Sequence, residues 1–229
     1  MKSNQSNIEY YNAIATLYNR MLSNDSDKNI RKKVADTFCA IVNHAVVLDF
    51  GGGTGLDLRW LSDNNQTVFF CEPSAGMRNI AVSDPSNGRD NKVIFLEDVA
   101  TDFRQWDVKL PFVEKVDAVL SNFAVLNCIQ EIELLFQNLS LVVKSRGYLI
   151  ALILTKHSEK TLFGMFYRGL RSFIHAKPMS VKIFHQEHQQ TVHIYSLKEI
   201  IKASKATFDF CGCELIESSV FTLIKLQRK

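Results

Sequence analysis

Val46-Val47-Leu48-Asp49-Phe50-Gly51-Gly52-Gly53-Thr54-Gly55 is the stretch from which the architecture of this 229-residue chain can be read. A short β-branched apolar run closes on an acidic residue, and Gly51, Gly52, Gly53 and Gly55 follow almost at once. This pattern predicts a buried strand delivered into a tight turn that opens a helix. Glycine removes the Cβ where the backbone bends and where a ligand lies against the main chain. The following helix adds free N–H groups and the positive end of its dipole. A carboxylate or phosphate would be welcome at such a turn.

Spacing narrows the ligand. A dinucleotide fingerprint needs G-x-G-x-x-G, and Leu56 stands where the third glycine belongs. A phosphate-cradling P-loop needs a lysine after its last glycine, and none follows here. Asp49 followed by Gly51, Gly53 and Gly55 instead resembles the first motif of the class I S-adenosylmethionine-dependent methyltransferases, of the small-molecule type. That resemblance implies a Rossmann-like methyltransferase fold, a doubly wound, mostly parallel α/β sheet with S-adenosyl-L-methionine as cofactor. Its methionine end, a carboxylate and an ammonium, would lie at these four residues.

Further along, Thr67 to Cys71 reads as the second strand and ends at Glu72-Pro73-Ser74. An acid at a strand end about 20 residues past a glycine turn is placed to accept ribose hydroxyls, so Glu72 is the ribose candidate. Ser74 should cap a helix running through Val82, within which Met77 resembles the family's apolar residue against the adenine. Val93 to Leu96 is a short strand. By resemblance, Asp98 after it accepts the adenine amino group and the Val99 amide meets the ring, with Glu97 as the rival acid. The strand 116–121 ends at Ser121 and Asn122, which should face the reaction zone because ligands of open parallel sheets sit beyond the carboxyl ends of the strands. The run from Leu120 to Cys128 looks like the family's fourth motif, which meets donor and acceptor.

Elsewhere the pattern is structural. Ile8 to Leu22 has the apolar spacing of a helix, and Tyr11 to Asn19 resembles the family's N-terminal helix, with Tyr18 a candidate on the substrate side. A second helix is expected from Asp27, its N-cap, to Val42. Leu56 to Leu61 starts a third, with Asp57 set against its dipole. Ile132 to Val143 forms a helix that Gly147 closes, and Tyr148 to Leu154 is the fully buried fifth strand. Residues 155–182 carry a broad apolar face with Arg168 and Arg171 beside it, read as a lid over the methyl acceptor with a cation for an anionic group. Val181 to Tyr195 reads as a hairpin with its tip near Glu187-His188. Ser196 and Glu199 form a capping box for the next helix. The segment to Lys229 allows only a tight connection between the last strands, which leaves completion of a seventh strand open.

The expected organisation is one methyltransferase domain with N-terminal helices (1–45), a cofactor-binding core (46–154), a helical and hairpin insertion after the fifth strand (155–195), and a C-terminal helix and strands (196–229). Charged residues make up 22% and the net charge is +3, too small an excess to point to nucleic acid. No apolar run has membrane-spanning length, and residues 1–7 lack the apolar core of a signal peptide, so the cytoplasm is the expected location. The five cysteines have no paired C-x-x-C spacing and read as reduced thiols. His185, His188 and His193 lack a fourth donor at ligand spacing, so no metal is expected. No residue is singled out as a catalytic base, and the histidines, His157 and His175 included, are not separated by sequence. The expected activity is methyl transfer to an oxygen or nitrogen of a small-molecule acceptor. An RNA or protein methyltransferase and a non-catalytic donor-binding or partner-binding subunit are the alternatives, and the oligomeric state is left open.

Overall fold

The computed structural model describes residues 2–65, 67–87, 92–155, 179–217 and 219–229. The chain starts with α1 (Lys2–Met21) and α2 (Asp25–Ile41). The cap of α2 is Asn24 rather than Asp27: its side chain accepts the Asp27 N–H at 2.9 Å, and Asp25 and Asp27 both lie in the first turn, where negative charge opposes the dipole. There follow β1 (Val46–Phe50), α3 (Leu58–Asn64), β2 (Thr67–Cys71), α4 (Ala75–Ser83), β3 (Val93–Phe95), β4 (Val116–Ser121), α5 (Ile132–Val142) and β5 (Val143–Leu154). Three short 3₁₀ turns, Asp98–Thr101, Phe103–Gln105 and Val125–Cys128, shape the loops after β3 and β4. Beyond them lie β6 (Met179–His185), β7 (His188–Ile194), α6 (Leu197–Ser204), β8 (Phe208–Leu215) and β9 (Phe221–Arg228).

The main sheet has seven strands in the order β3-β2-β1-β4-β5-β9-β8. The first five run parallel, while β9 pairs antiparallel with both β5 and β8. The tight connection foreseen at the C-terminus therefore does complete a seventh strand, closed by the Ile216 N–H on the Phe221 carbonyl. β1 is buried along its whole length, as a central parallel strand must be. Its residues divide between two apolar clusters on opposite sides of the sheet. Leu48 and Phe50 join Trp106, Phe136 and Leu139, while Val47 joins Phe38, Leu58 and Phe70. Two-sided burial is what makes the fold doubly wound.

β5 differs from expectation. Gly147 does not close α5, because the helix ends at Val142 and the strand begins at once at Val143. Val116 pairs with Val143 and Ala118 with Tyr148, so the intervening residues bulge. Arg146 turns left-handed there (φ 65°), and a Cβ at Gly147 would stand 2.7 Å from the Asp117 carbonyl. The β6–β7 hairpin is a separate two-stranded sheet closed by the His185–His188 pair, so its tip is Gln186-Glu187. It leans on α1 through Ser6 Oγ, which donates to the Gln189 carbonyl at 2.6 Å. Among the described residues no helix is long and apolar enough to cross a membrane, and no group of three metal-ligating side chains assembles.

Candidate active site

The carboxyl ends of β1, β2, β3 and β4 open on one cavity of about 700 Å³, roofed by α1. Pockets of roughly 300 to 1,000 Å³ suit a drug-sized ligand. One wall is the glycine turn. Gly51 (φ 77°) and Gly53 (φ 60°) both line the cavity in left-handed conformations that cost a residue with a Cβ about 1–2 kcal/mol. At Gly51 a Cβ would also lie 2.4 Å from Val125 Cγ1; at Gly53 its nearest neighbour would be the Tyr18 ring at 3.5 Å. Main chain is thus bared to the cavity at Gly53 and packed tightly at Gly51.

Glu72, at the end of β2, reaches back to this turn. Its Oε2 accepts the Gly53 N–H at 2.9 Å and its Oε1 accepts the Ser74 N–H at 2.7 Å, while the side chain lines the cavity. Burial pushes the carboxyl up to about 7, and the two amide bonds only partly offset this. Ser74 caps α4 by accepting the Met77 N–H and donates to Asn12 of α1, whose amide oxygen also accepts the Gly76 N–H. This fixes α1 over the site. Met77 lines the cavity beside Asp98, which opens the turn after β3 with a positive φ of 46°.

The opposite wall comes from α1 and the turn after β4. Tyr11 and Tyr18 sit edge to face at 6.2 Å, and the Tyr11 hydroxyl is 3.5 Å from Cys128 Sγ. Burial raises both phenols, and it raises the Cys128 thiol to about 11, so all three keep their protons at neutral pH. Asn7 ties this wall together: its amide donates to the Cys128 and Thr191 carbonyls and accepts the Thr191 N–H. Arg104, next to the adenine-side candidates, donates to Asp102 and Glu131 and lies over the Phe103 ring.

Of the residues selected from sequence, Gly51, Gly53, Glu72, Met77, Asp98 and Tyr18 come together on the cavity. Asp49, Ser121 and Asn122 are buried and lie behind its lining. Gly55 is packed toward Ala81, Asn87 and Leu58, and the Val99 side chain turns to solvent. Arg168 and Arg171, with His157 and His175, fall outside the described residues, and so does the helical part of the expected lid. Asp57 stands at the N-cap position of α3, and its side chain makes no cap hydrogen bond there. It accepts hydrogen bonds from Arg31 at 2.5 Å, Asn122 at 3.0 Å and Trp60 at 2.9 Å, with Arg31 stacked on Phe123. Cys128, the last residue of the run that resembles the fourth motif, also lines the cavity, as do Asn7, Phe103 and Arg104, which the motif reading did not select. For Asn7 a signal existed: it stands one helical turn before Tyr11 on the same face of α1.

Residues 48–151 match the family model described as a methyltransferase domain. Comparison with curated protein sequences returns no match. Among solved structures, the chain is similar to DhpI in its complex with SAH at a TM-score of 0.72 and 18% identity, over 99% of this chain and 97% of that one. It is also similar to the PH0226 protein of Pyrococcus horikoshii OT3, at 0.68 and 16% over 90% and 93% of the two chains. A third is the magnesium protoporphyrin IX methyltransferase ChlM of Synechocystis PCC 6803 with bound SAH, at 0.67 and 15% over 96% and 97%. At these identities the likeness is one of fold.

Proposed function

We propose that this chain is a class I S-adenosylmethionine-dependent methyltransferase, a reading supported by the methyltransferase-domain match over residues 48–151, and that it transfers the donor's methyl group to an oxygen or nitrogen of a small-molecule acceptor. The observation that carries the reading is Glu72. It is a cavity carboxyl steered by the Gly53 and Ser74 amides across a glycine turn with a bared backbone. These residues fit a nucleoside with a cationic amino-acid end. Glu72 retains lone pairs for ribose hydroxyls, Met77 offers an apolar surface for a base, and Asp98 is an acceptor at the rim. When bound, the donor supplies an electrophilic sulfonium methyl for in-line displacement.

The chain's own residues orient and enclose. Tyr11, Ile8, Cys128 and Ile129 form the neutral side of the cavity, suited to an acceptor of modest size. With the thiol and both phenols protonated, none of these three groups is a base at neutral pH, so the acceptor would arrive as a competent nucleophile or lose its proton to water. The gain then comes chiefly from holding the two reactants at attack distance, an effect that can supply roughly 7 to 11 kcal/mol. Arg168 and Arg171 remain proposed acceptor contacts. Incubation with methyl-labelled donor and a panel of small hydroxyl and amine compounds tests the reading. Label is expected in a small product, whereas label in RNA or protein alone would overturn it.

A further inference from the structure

Two carboxyls lie behind the glycine turn, and the structure treats them differently. Asp57 takes the local cation, Arg31, together with hydrogen bonds from Asn122 and Trp60. Asp49, at the end of β1, is fully buried, and its Oδ2 has no hydrogen-bond partner. Among the groups around it, Arg31 of α2 alone pulls toward the ionised form, and that guanidinium is held by Asp57; burial and the neighbouring acids outweigh it. From the start of α3 comes Asp57, and from the end of β2 come Glu72 and the Cys71 thiol. A bare carboxylate in such surroundings would carry several kcal/mol of uncompensated desolvation, and a carboxyl so placed keeps its proton instead. Burial first, and the Asp57 charge second, hold this carboxyl well above the usual carboxylate range.

We propose that Asp49 is protonated in the ligand-free protein and releases its proton to solvent when the donor binds, so that donor binding is coupled to proton release behind the glycine turn. The inference rests on the donor-site reading above. Phe50 and Gly51, which follow Asp49 in the chain, line the cavity, and so does Gly53 four residues on. An ammonium brought against that turn displaces water and places positive charge beside a low-dielectric carboxyl, which favours the ionised form. No bond other than O–H changes: the Asp49 carboxyl loses a proton, and the charge left behind is balanced by the incoming cation. Donor affinity therefore rises with pH, by up to about tenfold per pH unit for each coupled proton. Glu72, at about 7, contributes a second, separable share.

Calorimetric titration of the full chain with S-adenosylhomocysteine near neutral pH, in two buffers of different ionisation enthalpy, counts the protons released. Release is expected from the wild type, reduced in Asp49→Asn, and retained in part by Glu72→Gln. Infrared difference spectra of the wild type should also lose a protonated-carboxyl band on ligand addition, a readout that needs no variant. Binding with buffer-independent heat, or undiminished release from a folded Asp49→Asn, overturns the coupling and leaves the donor site standing. Failure of S-adenosylhomocysteine to bind removes the donor site and the coupling together.

Discussion

A buried carboxyl that accepts two backbone amides would ordinarily titrate low; Glu72 sits at about 7 because burial outweighs both bonds. The folded value lies above the ordinary one of 4.5, so the folded protein holds the proton more tightly than the unfolded chain. Glu72 consequently costs stability increasingly as pH rises from 4.5 through about 7. In ligand-free protein the melting temperature of Glu72→Gln relative to wild type should climb across that window, on top of a constant penalty for the oxygen it loses. A pH-independent difference would contradict this. Gly53→Ala should lower stability by about 1–2 kcal/mol, from its left-handed backbone, and weaken S-adenosylhomocysteine binding at least about tenfold because the new methyl faces the cavity. Chemical denaturation and calorimetry measure the two effects separately. Glu72 and the glycines were legible in sequence because residue type and local spacing carry their roles. Asp57 was not, since Arg31 meets it from 26 positions away in another helix.

At the scale of the element, α1 is a wall of the site held on by asparagines. Asn7 pins it to the turn after β4 and to β7, Asn12 to the cap of α4, and Asn19 accepts from the Thr54 hydroxyl of the glycine turn. Apolar periodicity reveals the helix and its buried face of Tyr10, Ile14 and Ala15. It is silent about polar pins whose partners are backbone groups far along the chain. Asn7→Ala leaves the Thr191 N–H and two carbonyls without their partner, at a cost of about 1–3 kcal/mol. Hydrogen exchange should show the Thr191 amide losing protection while the β1 amides keep theirs; unchanged Thr191 protection would dismiss the pin. The same blindness to tertiary contacts explains the α5–β5 junction. Gly147 reads locally as a helix terminator, yet its bare backbone lies against the Asp117 carbonyl inside a strand bulge.

For the whole molecule, alternating strands and helices indicated the parallel, doubly wound sheet, since each strand is apolar on both faces and each crossover carries one apolar stripe. The order β3-β2-β1-β4-β5-β9-β8 was not legible in the same way. Pairing of β9 between β5 and β8 depends on a short connection, closed by the Ile216 N–H on the Phe221 carbonyl, that carries no motif. This topology brings the ends of four strands to one cavity, so occupancy there should stabilise the fold as a unit. At a hundredfold excess over the dissociation constant, S-adenosylhomocysteine should add about 2.7 kcal/mol, a rise of roughly 5–11 °C in melting temperature for a chain of this size. The most direct test of the central claim is a calorimetric titration of wild type and Glu72→Ala with the same ligand. Saturable binding to a single site, weakened at least about tenfold by the substitution, is the predicted result. No binding, or equal affinity in a folded Glu72→Ala variant, would contradict the account.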